Sequence, residues 1–497
     1  MCFVFSPLLL WAQTTQTIRG KVMDKESQYP LDGATVRLLE APNTIVISAA
    51  DGKFRMENVP VGRHSIEIEY TFYKTRIIPV IVTAGKEIIL AISMEDAFTE
   101  IEGSVEITAK KKGELNNDMA SVSGKSFSVE ETDRYAGSRS DPARMASNFA
   151  GVQGADDSRN DIVVRGNSPS GVLWRVEGID IPNPNHFAIS GTSGGPVSVL
   201  NNKTMANSDF FTAAFPAEYG NSTAGVFDLK LKNGNNEKHE FTGQFGFLGT
   251  EAMAEGPLSK NTGASYLFAY RYSTVSMFSL LGIDIGTSAV PKYQDLSFKF
   301  NFPLKNEANL SFFSISGKSD IDILISNQED PSEVDLYGEN DRDQLFGTRI
   351  AIIGSTYSKA LNEKTFIKST TAASIQNQRT NHILIFRHID STLSTPQFVV
   401  DSSRPLMKYW FTESKISNFT SVNKKFNKKN TLKFGLSSDY YLFDFNDSID
   451  ANGDNKWETR WDQHSTAFMI RPFVQWKHNF SEKTTLNLGV HQTYFSQ

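Results

Sequence analysis

Residues 295–304 read DLSFKFNFPL, and this stretch sets the problem of the fold. Leucine or phenylalanine stands at every even position, and mostly polar residues fill the positions between them. Successive side chains of a β-strand point to opposite faces, so the stretch predicts a strand with one apolar and one polar face. The same alternation recurs in TLKFGLSSDYYL (431–442), AFMIRPFVQWK (467–477) and TLNLGV (485–490).

A soluble β-sandwich also alternates, so the lengths of the connections between strands decide the class. Tight polar turns (PLSKNTG, PLKNEAN, ALNEKT, FNKKNT and FSEKTT) alternate with long connections at about 274–293, 320–346, 379–408 and 446–463. Short turns at one end and long loops at the other are typical of a transmembrane β-barrel. Residues 236–497 are therefore predicted to form a partial transmembrane antiparallel β-barrel of about eleven strands.

Two further features of this region bear on the barrel hypothesis. Aromatic residues near the strand ends are interpreted as interfacial girdles, at Tyr440, Tyr441, Phe443, Trp457 and Trp461. An odd number of antiparallel strands leaves unpaired edges, which lipid cannot satisfy. The sequence is therefore expected to be a fragment, or the product of an interrupted gene.

The composition and the N-terminus narrow the class of protein. The net charge is −6 over 497 residues and the Lys and Arg are scattered, which argues against nucleic acid as a partner. Residues 1–12 (MCFVFSPLLLWA) read as a signal peptide, and a buried N-terminal strand is the alternative. They contain the only cysteine, Cys2, so a cleaved chain would be cysteine-free, which suits an exported protein without disulfides.

Residues 16–95 are predicted to form a β-sandwich, because seven short alternating stretches are separated by turn sequences such as PLDG and DGK. Its words GKVMD, PLDGATVRL and SAADGKFRMENVPVGRHSIEI resemble the carboxypeptidase regulatory-like domain, which implies binding or spacing without catalysis. Residues 96–117 read as a polar connector. Its short β-prone core at Val105, Glu106, Ile107 and Thr108 could add as a strand to an exposed sheet edge.

Residues 118–235 are predicted to form a small α+β domain. A helix is expected from Pro142, with Asp141 as its N-cap and Gly151 just past its end. The following segment, DIVVRGNSPSGVLWRVEGIDIPNPNHF (161–187), reads strand, turn, strand, loop, with Arg165, Arg175 and Glu177 where a packed core would be apolar. The segment closes with the strand GVFDLKL (225–231).

Taken together, these parts resemble a TonB-dependent outer-membrane receptor of the Bacteroidetes type. The motifs that carry the resemblance are the 161–187 segment and AFPAEYGNSTAGVFDLKLKNG (214–234). The resemblance implies a mainly β fold in which residues 118–235 are a plug inside a barrel of twenty-two strands, so the chain would contain about half of that barrel. The linker departs from the family pattern, since Ala109 and Lys110 follow VEIT without the commoner run of valines.

The resemblance also implies site residues. Val105, Glu106, Ile107 and Thr108 are the candidates for TonB contact. The candidate plug residues form two groups: a core of Arg165, Gly166, Arg175, Glu177, Gly178 and Asp180, and an end of Glu218, Tyr219, Gly220 and Gly225. Charged and polar contacts with a hydrophilic wall would hold the plug and still let it move.

The function implied is import of a scarce ligand across the outer membrane of a Gram-negative bacterium, driven by the inner-membrane proton gradient. The expected partners are TonB, outer-membrane lipid and an unidentified ligand such as a siderophore, oligosaccharide or peptide. A surface lipoprotein lid is a further candidate, and no cofactor is expected. The N-terminal domain and the plug base would face the periplasm. The alternative is a surface-binding or assembly protein without transport.

Three chemical motifs in the sequence suggest other functions. GTSGGPV (191–197) resembles the surroundings of a protease nucleophile at Ser193. Such a serine needs a strand before it and a helix after it, but PNPNHFAIS precedes it and Pro196 follows, and the nearby His186 stands in a proline-rich loop. Asp450, Asn452, Asp454 and Glu458 offer oxygen ligands for calcium, yet the twelfth position of that loop is Trp461, so a solvated acidic loop is preferred. His382 and His388 are expected in an outer loop, without a metal cluster.

Overall fold

The computed structural model describes residues 14–97, 115–117, 119–120, 122–127, 132, 135–155, 158–189, 191–246, 249–274, 291–331, 339–392, 395–481 and 484–496. They form an N-terminal domain, a central domain (residues 115–235) and one large sheet. Within these ranges, no helix is both long enough and apolar enough to cross a bilayer. The predicted signal peptide and the candidate TonB-contact residues, 105–108, lie outside the described residues.

The N-terminal domain is the β-sandwich that the alternating stretches predict. Its strands are β1 (Thr15–Asp24), β2 (Thr35–Leu38), β3 (Ala41–Ile47), β4 (Lys53–Pro60), β5 (Gly62–Glu69), β6 (Arg76–Val82) and β7 (Ile88–Met94). One sheet has the order β4-β1-β7 and the other the order β3-β2-β5-β6. Ile18, Met56, Ile66 and Ile92 are fully buried between the two sheets and belong to the apolar core of this domain.

The central domain is built on a five-stranded sheet of order β12-β11-β16-β15-β8. Its elements are β8 (Gly124–Phe127), α1 (Pro142–Ala146), β9 (Val152–Gly154), β10 (Ile162–Val164), β11 (Leu173–Val176), β12 (Ile179–Asp180), β13 (Asn185–His186), β14 (Val197–Ser198), β15 (Ser208–Phe211) and β16 (Val226–Leu229). The predicted closing strand is β16, which pairs in parallel with β11 and places the 161–187 segment beside the centre of the sheet.

Helix α1 starts as predicted but is shorter than predicted. The Asp141 carboxylate accepts hydrogen bonds from the backbone N–H groups of Ala143 (2.8 Å) and Arg144 (2.9 Å), as an N-cap does. The helix ends at Ala146, because the side chains of Ser147 and Asn148 both donate to the carbonyl of Arg144 and compete with the helical pattern.

The large sheet contains the eleven antiparallel strands predicted from the alternation. They are β17 (Glu240–Gly246), β18 (Gly249–Ser259), β19 (Ala264–Tyr272), β20 (Lys292–Pro303), β21 (Ala308–Ile323), β22 (Arg342–Asn362), β23 (Thr365–Asp390), β24 (Gln397–Asn427), β25 (Asn430–Ile449), β26 (Glu458–Asn479) and β27 (Thr485–His491). Each pairs with the next along the chain, and a short segment, β28 (Tyr494–Ser496), also pairs with β26. This part of the fold prediction is confirmed.

In the large sheet the polar face is buried and the apolar face is exposed, which is the reverse of a soluble sandwich. On β20, the polar residues Asp295, Ser297 and Lys299 are only 3%, 2% and 6% exposed, because they face the central domain. On the other face, Phe312, Ile353 and Ile416 are 43%, 59% and 54% exposed. A polar inner face and an apolar outer face are what a wall standing in lipid requires. The burial therefore favours a barrel wall over a sandwich.

The strands at the long-loop end extend further than predicted. Residues 379–408 were expected to be a loop, but β23 runs to Asp390 and β24 begins at Gln397, so His382 and His388 lie on β23. Similarly, the 446–463 connection shrinks to residues 450–457. Strands that project beyond lipid need no apolar face, so their sequences lose the alternation that identifies the other strands.

Candidate functional site

The central domain meets the inner face of the sheet at the tip of a tight hairpin. Strands β11 and β12 are joined by the two-residue turn Glu177–Gly178, in which both residues have positive φ (53° and 96°). This is the geometry of a two-residue hairpin turn, and it suits glycine at the second position. A Cβ on Gly178 would lie 3.0 Å from the ring of Phe419 on β24, so glycine also permits the close approach. Glu177, expected within a strand, is therefore a turn residue that faces the large sheet, β17–β27, which we call the wall.

Glu177 is buried between two strands of the wall. Its carboxylate accepts from Lys299 Nζ on β20 (2.9 Å) and from Lys368 Nζ on β23 (3.4 Å), and its backbone carbonyl accepts from Thr370 Oγ1 (2.9 Å). Burial by itself would raise the pKa of Glu177, but the two ammonium groups outweigh it and lower the pKa to about 2. The carboxylate is therefore ionised at neutral pH and holds the turn in register with the wall.

Asp180, at the end of the same hairpin, makes a second ionic contact with the wall. Its carboxylate accepts from Arg471 Nη1 on β26 (2.5 Å), and its backbone carbonyl accepts from Lys415 Nζ on β24 (2.6 Å). Arg471 also pairs with Asp439 on β25. Burial opposes ionisation of Asp180, but the neighbouring guanidinium of Arg471 lowers its pKa overall. The hairpin is thus tied to strands on both sides of Phe419.

Arg175 organises the carboxylates from inside the central domain. It is buried on β11, donates from Nε to the carbonyl of Gly178 (2.9 Å) and from Nη1 to Glu218 (3.4 Å), and lies 4.2 Å from the ring centroid of Phe419. Glu218 also pairs with Lys433 on β25. Burial would raise the pKa of Glu218, but Lys433 and Arg175 lower it to about 2. A second part of the central domain is therefore fixed to the wall by charge.

The charges on the two sides of this contact are complementary. We call it the charged interface. Its central-domain members are Arg175, Glu177, Asp180 and Glu218, and its wall members are Lys299, Lys368, Lys415, Lys433, Asp439 and Arg471. Carboxylates dominate on the central domain and cations dominate on the wall. Such complementarity fixes orientation more than it contributes net stability, because both partners lose hydration.

The contact between the two parts is not polar throughout, as it was expected to be. Wall residues including Phe313, Ile315, Ile352 and Phe473 belong to the same apolar cluster as the core of the central domain. β21 contributes most clearly, because Phe313 and Ile315 lie on its inner face, between the buried polar residues Ser311 and Ser319. The interface therefore combines an apolar patch with charged anchors.

A further polar contact involves the segment around the protease-like motif. His186 Nε2 lies 3.2 Å from the Asp295 carboxylate on β20, and Arg271 donates to the same carboxylate (2.8 Å). The backbone carbonyl of Ser193 accepts from the indole N–H of Trp174 (2.9 Å). His186 is thus engaged with the wall, and Ser193 belongs to the loop packed beside Trp174.

Of the remaining predicted plug residues, Tyr219 contacts the charged interface, because its ring centroid lies 5.0 Å from the Arg175 guanidinium, and the others lie outside that interface. Arg165 and Gly166 form a turn after β10, where Arg165 is exposed and reaches Ser123 Oγ at 3.2 Å. Gly220 approaches His491 of β27, and Gly225 packs beside the side chains of Val164 and Phe210. Tyr219 is buried, and its hydroxyl donates to Asp228 (2.8 Å).

The candidate calcium loop connects β25 and β26. The Asp450 carboxylate accepts from the backbone N–H of Gly453 (2.8 Å) and of Asn455 (3.2 Å), while Asp454 pairs with Lys456 (3.1 Å). Among the residues that the structure describes, no group of three or more His, Cys, Asp or Glu side chains is arranged to hold a metal ion. Asp450 therefore serves as a cap for its own loop.

Of the five aromatic residues interpreted as girdles, four divide between the two faces of the wall, and Trp457 lies in the connection between β25 and β26. Tyr440 is outward, as expected for a girdle, and is 42% exposed. Tyr441, Phe443 and Trp461 lie on the inner face instead, in register with Lys415, Glu413 and Asp447. For these three residues the girdle interpretation is wrong, since strand alternation places them away from lipid.

The N-terminal domain contacts the short-turn end of the sheet. Lys425, near the β24–β25 turn, pairs with Asp24 of β1 and with Asp96 (2.7 Å). Lys21 pairs with Glu307 of the β20–β21 turn (2.7 Å). The sandwich therefore lies on the side of the sheet opposite to the long loops.

Sequence reasoning did not assign the wall side of the charged interface. Lys299, Lys433, Asp439 and Arg471 stand on the polar faces of the predicted strands, so the alternation places them inward without naming their partners. Lys368 offers no comparable signal, because β23 begins with a mixed polar sequence, TFIKSTT. A lysine on the polar face of an alternating strand, as at Lys299 and Lys433, is the sequence signal that could have been read as an anchor.

The comparisons with known proteins agree with this architecture. Residues 17–95 match the carboxypeptidase regulatory-like domain family. No curated protein matches the chain in sequence. The solved outer-membrane transporter YddB of Escherichia coli superposes with a TM-score of 0.51 at 12% identity, covering 75% of this chain and 56% of that one. The copper transporter OprC gives a TM-score of 0.50 at 10% identity, covering 75% and 54%.

These similarities define the class of the fold. The chain has a TonB-dependent outer-membrane receptor-like fold, with an N-terminal carboxypeptidase regulatory-like domain and an eleven-strand sheet that matches part of the receptor barrel. It spans about half the length of the two transporters that it resembles. Both are described as transporters, and at such low identity the likeness concerns the fold alone.

Proposed function

We propose that the protein is a TonB-dependent importer of the outer membrane, in which the central domain is a movable plug. The observation that carries this proposal is the charged interface, where ionised groups of the central domain are buried against the polar face of a membrane wall. Groups that ionise readily are hydrated again when the contact opens, so their separation costs less than exposing an equal area of apolar surface. The contact can therefore be both specific and reversible.

The contacts of the last connector residues support a path by which a pull from TonB reaches the charged interface. Asn117, the last residue of the connector, donates from Nδ2 to Glu218 (2.8 Å), and the backbone N–H of Asn116 donates to Asp209 (2.9 Å). Glu218 in turn pairs with Lys433 of the wall. In this proposal, a pull by TonB on residues 105–108 is carried along the chain to Asn117. From Asn117 it passes to Glu218, which belongs to the charged interface. In this proposal the short-turn end and the N-terminal domain face the periplasm, and the long loops face outward.

The proposal is tested by cross-linking in cells. A photo-reactive amino acid replaces Ile107 in the full chain, expressed in a Gram-negative host with its TonB, and the outer-membrane fraction is probed for a TonB adduct. Because Ile107 lies within the deleted segment, the photo-reactive group is placed at residue 104 in a second chain. Deleting residues 105–108 from this second chain should abolish the adduct. Deleting residues 110–113 shortens the connector equally and should preserve it.

Two results would overturn the proposal. One is recovery of the protein as a soluble periplasmic species in the fractionation. The other is an outer-membrane protein that gives no TonB adduct, or an adduct that survives deletion of residues 105–108. The second result would favour a surface-binding or assembly protein without transport.

A further inference from the structure

Six aromatic side chains line the inner face of the wall beyond the level of the charged interface. They are Tyr409, Phe411, Tyr441, Phe443, Phe445 and Trp461, and we call them the aromatic wall. They stand on β24, β25 and β26 in positions that alternate with outward-facing residues. The aromatic wall begins next to the charged interface. Tyr441 of β25 is paired with Lys415, which binds Asp180, and Phe443 is paired with Glu413, two residues from Lys415 on the same face of β24.

The rings form one connected surface. Tyr409 stacks on Phe411 with centroids 4.6 Å apart and planes at 13°, and Phe411 meets Phe445 edge-on at 5.3 Å. Trp461 lies 5.4 Å from Phe445 and is 46% exposed. Aromatic residues left half-open in a concave protein interior are typical of ligand sites and are costly to leave bare without a partner.

One carboxylate among these rings has no partner. Glu413 lies on β24 between Phe411 and Lys415, directly across from Phe443 on β25. Its carboxylate makes no hydrogen bond or ion pair with any residue that the structure describes, and the residue is half-buried. An unpaired carboxylate beside aromatic faces is expensive unless a cation or water satisfies it.

The cations on the same face are already engaged. Lys415 binds the carbonyl of Asp180, Arg471 pairs with Asp180 and Asp439, and Arg460 pairs with Asp447 (2.7 Å). The surface therefore offers a negative charge and the electron-rich faces of aromatic rings, without a free positive charge among these residues. That combination attracts cations through both ion pairing and cation–π contact, and it disfavours anions.

We propose that the aromatic wall and Glu413 form a subsite for a cationic group, an ammonium or guanidinium, carried by the imported ligand. The inference rests on the proposed function, because it assigns a ligand chemistry to the chamber above the plug. Amines and basic peptides share this chemistry. Glu413 pairs with the cation, and the rings contact its flanking methylene groups and its charge.

The experiment measures binding to the purified full chain in detergent micelles by calorimetry. The peptide probe is trilysine amide, with its Nε-acetylated form as the control that lacks the side-chain charges, and cadaverine is the small-amine probe. We expect trilysine amide to bind about tenfold more tightly than its acetylated form, the effect of one charge-assisted contact. Binding of cadaverine alone would identify a small amine as the source of the cation.

Variants separate the subsite from general effects of charge. Glu413→Gln should remove the tenfold preference, whereas Asp444→Asn, which removes a carboxylate from the outer face of the neighbouring strand, should keep it. Phe411→Leu should weaken trilysine amide about threefold through the loss of a ring face. The outward Phe468→Leu should not change binding. Circular dichroism confirms that each variant retains its β-structure.

The proposal is overturned if the wild-type chain binds neither trilysine amide nor cadaverine, or if Glu413→Gln keeps the preference for the charged peptide. This assay needs no TonB. A missing TonB adduct with intact charge preference therefore removes the importer proposal alone, and a missing preference with an intact adduct removes the subsite alone.

Discussion

Replacing Glu177 by glutamine tests whether the charged interface holds the central domain against the wall. The change leaves Lys299 and Lys368 buried without their carboxylate. Breaking a buried ion pair by removing one partner costs about 3–5 kcal/mol. The pKa supports this size, because lowering it from 4.5 to about 2 corresponds to roughly 3 kcal/mol of stabilisation by the folded state.

The assay is a double-mutant cycle, with urea unfolding in micelles followed by tryptophan fluorescence. Glu177→Gln and Lys299→Met should each lower the free energy of unfolding by about 3 kcal/mol. The double variant should cost clearly less than their sum, since neither charge is then stranded. Asp454→Asn removes an exposed partner of Lys456 and should cost less than about 1 kcal/mol.

Additive effects in this cycle would refute the reasoning, because they would mean that the two residues act independently. A loss below about 1 kcal/mol for Glu177→Gln would refute it as well, since that is the size of an exposed pair. In either case the central domain would be held by its apolar patch, and the charged interface would only set its orientation.

Three further predictions concern acid, the turn and the N-terminal domain. The pKa of Glu218 is lowered to about 2, so the stability that its carboxylate contributes to the fold is complete above about pH 5 and is lost as the pH falls from about 4.5 towards 2. The Tm should therefore be the same at pH 7 and pH 5.5 and lower at pH 3, and a constant Tm contradicts this prediction. Gly178→Ala should lower the free energy of unfolding in urea by more than about 1 kcal/mol, and by more than Gly166→Ala does. Both glycines have positive φ, but only Gly178 is crowded by the wall, so equal losses would exclude that contact. Lys425→Met should release the sandwich and speed its removal by limited proteolysis, whereas Lys424→Met, on the other face of β24, should not.

Strand alternation predicted the strands of the wall well, and its failures have a common cause. The period of two that identifies β20 is the pattern expected of a strand with one face towards lipid and the other towards a polar interior. The outer parts of β23 and β24 lack the alternation, as is expected of strands with water on both faces. Residues 379–390 and 397–408, predicted to be loop, are therefore strand, and His382 and His388 lie on β23.

The candidate plug residues show a similar division. Arg175 and Glu177 are unusual in sequence because they stand in a short β-unit, whereas Asp180 is a candidate only through the family resemblance. The structure brings all three together with Glu218. Arg165 carries the same local signal yet lies exposed in a turn. Charge in a strand-like segment indicates a polar environment, but it does not say which polar environment.

The amino-acid sequence by itself predicted the number of strands in the large sheet and the polarity of the faces of the alternating strands, because these depend on local periodicity and turn chemistry. Only the tertiary structure decided which charges meet, since Lys368, Lys415 and Arg471 come from strands far apart in the chain and converge on one hairpin. It also decided that Tyr441, Phe443 and Trp461 face inward beside Glu413. Register, which fixes these pairings, is a property of neighbouring strands together and of no single strand.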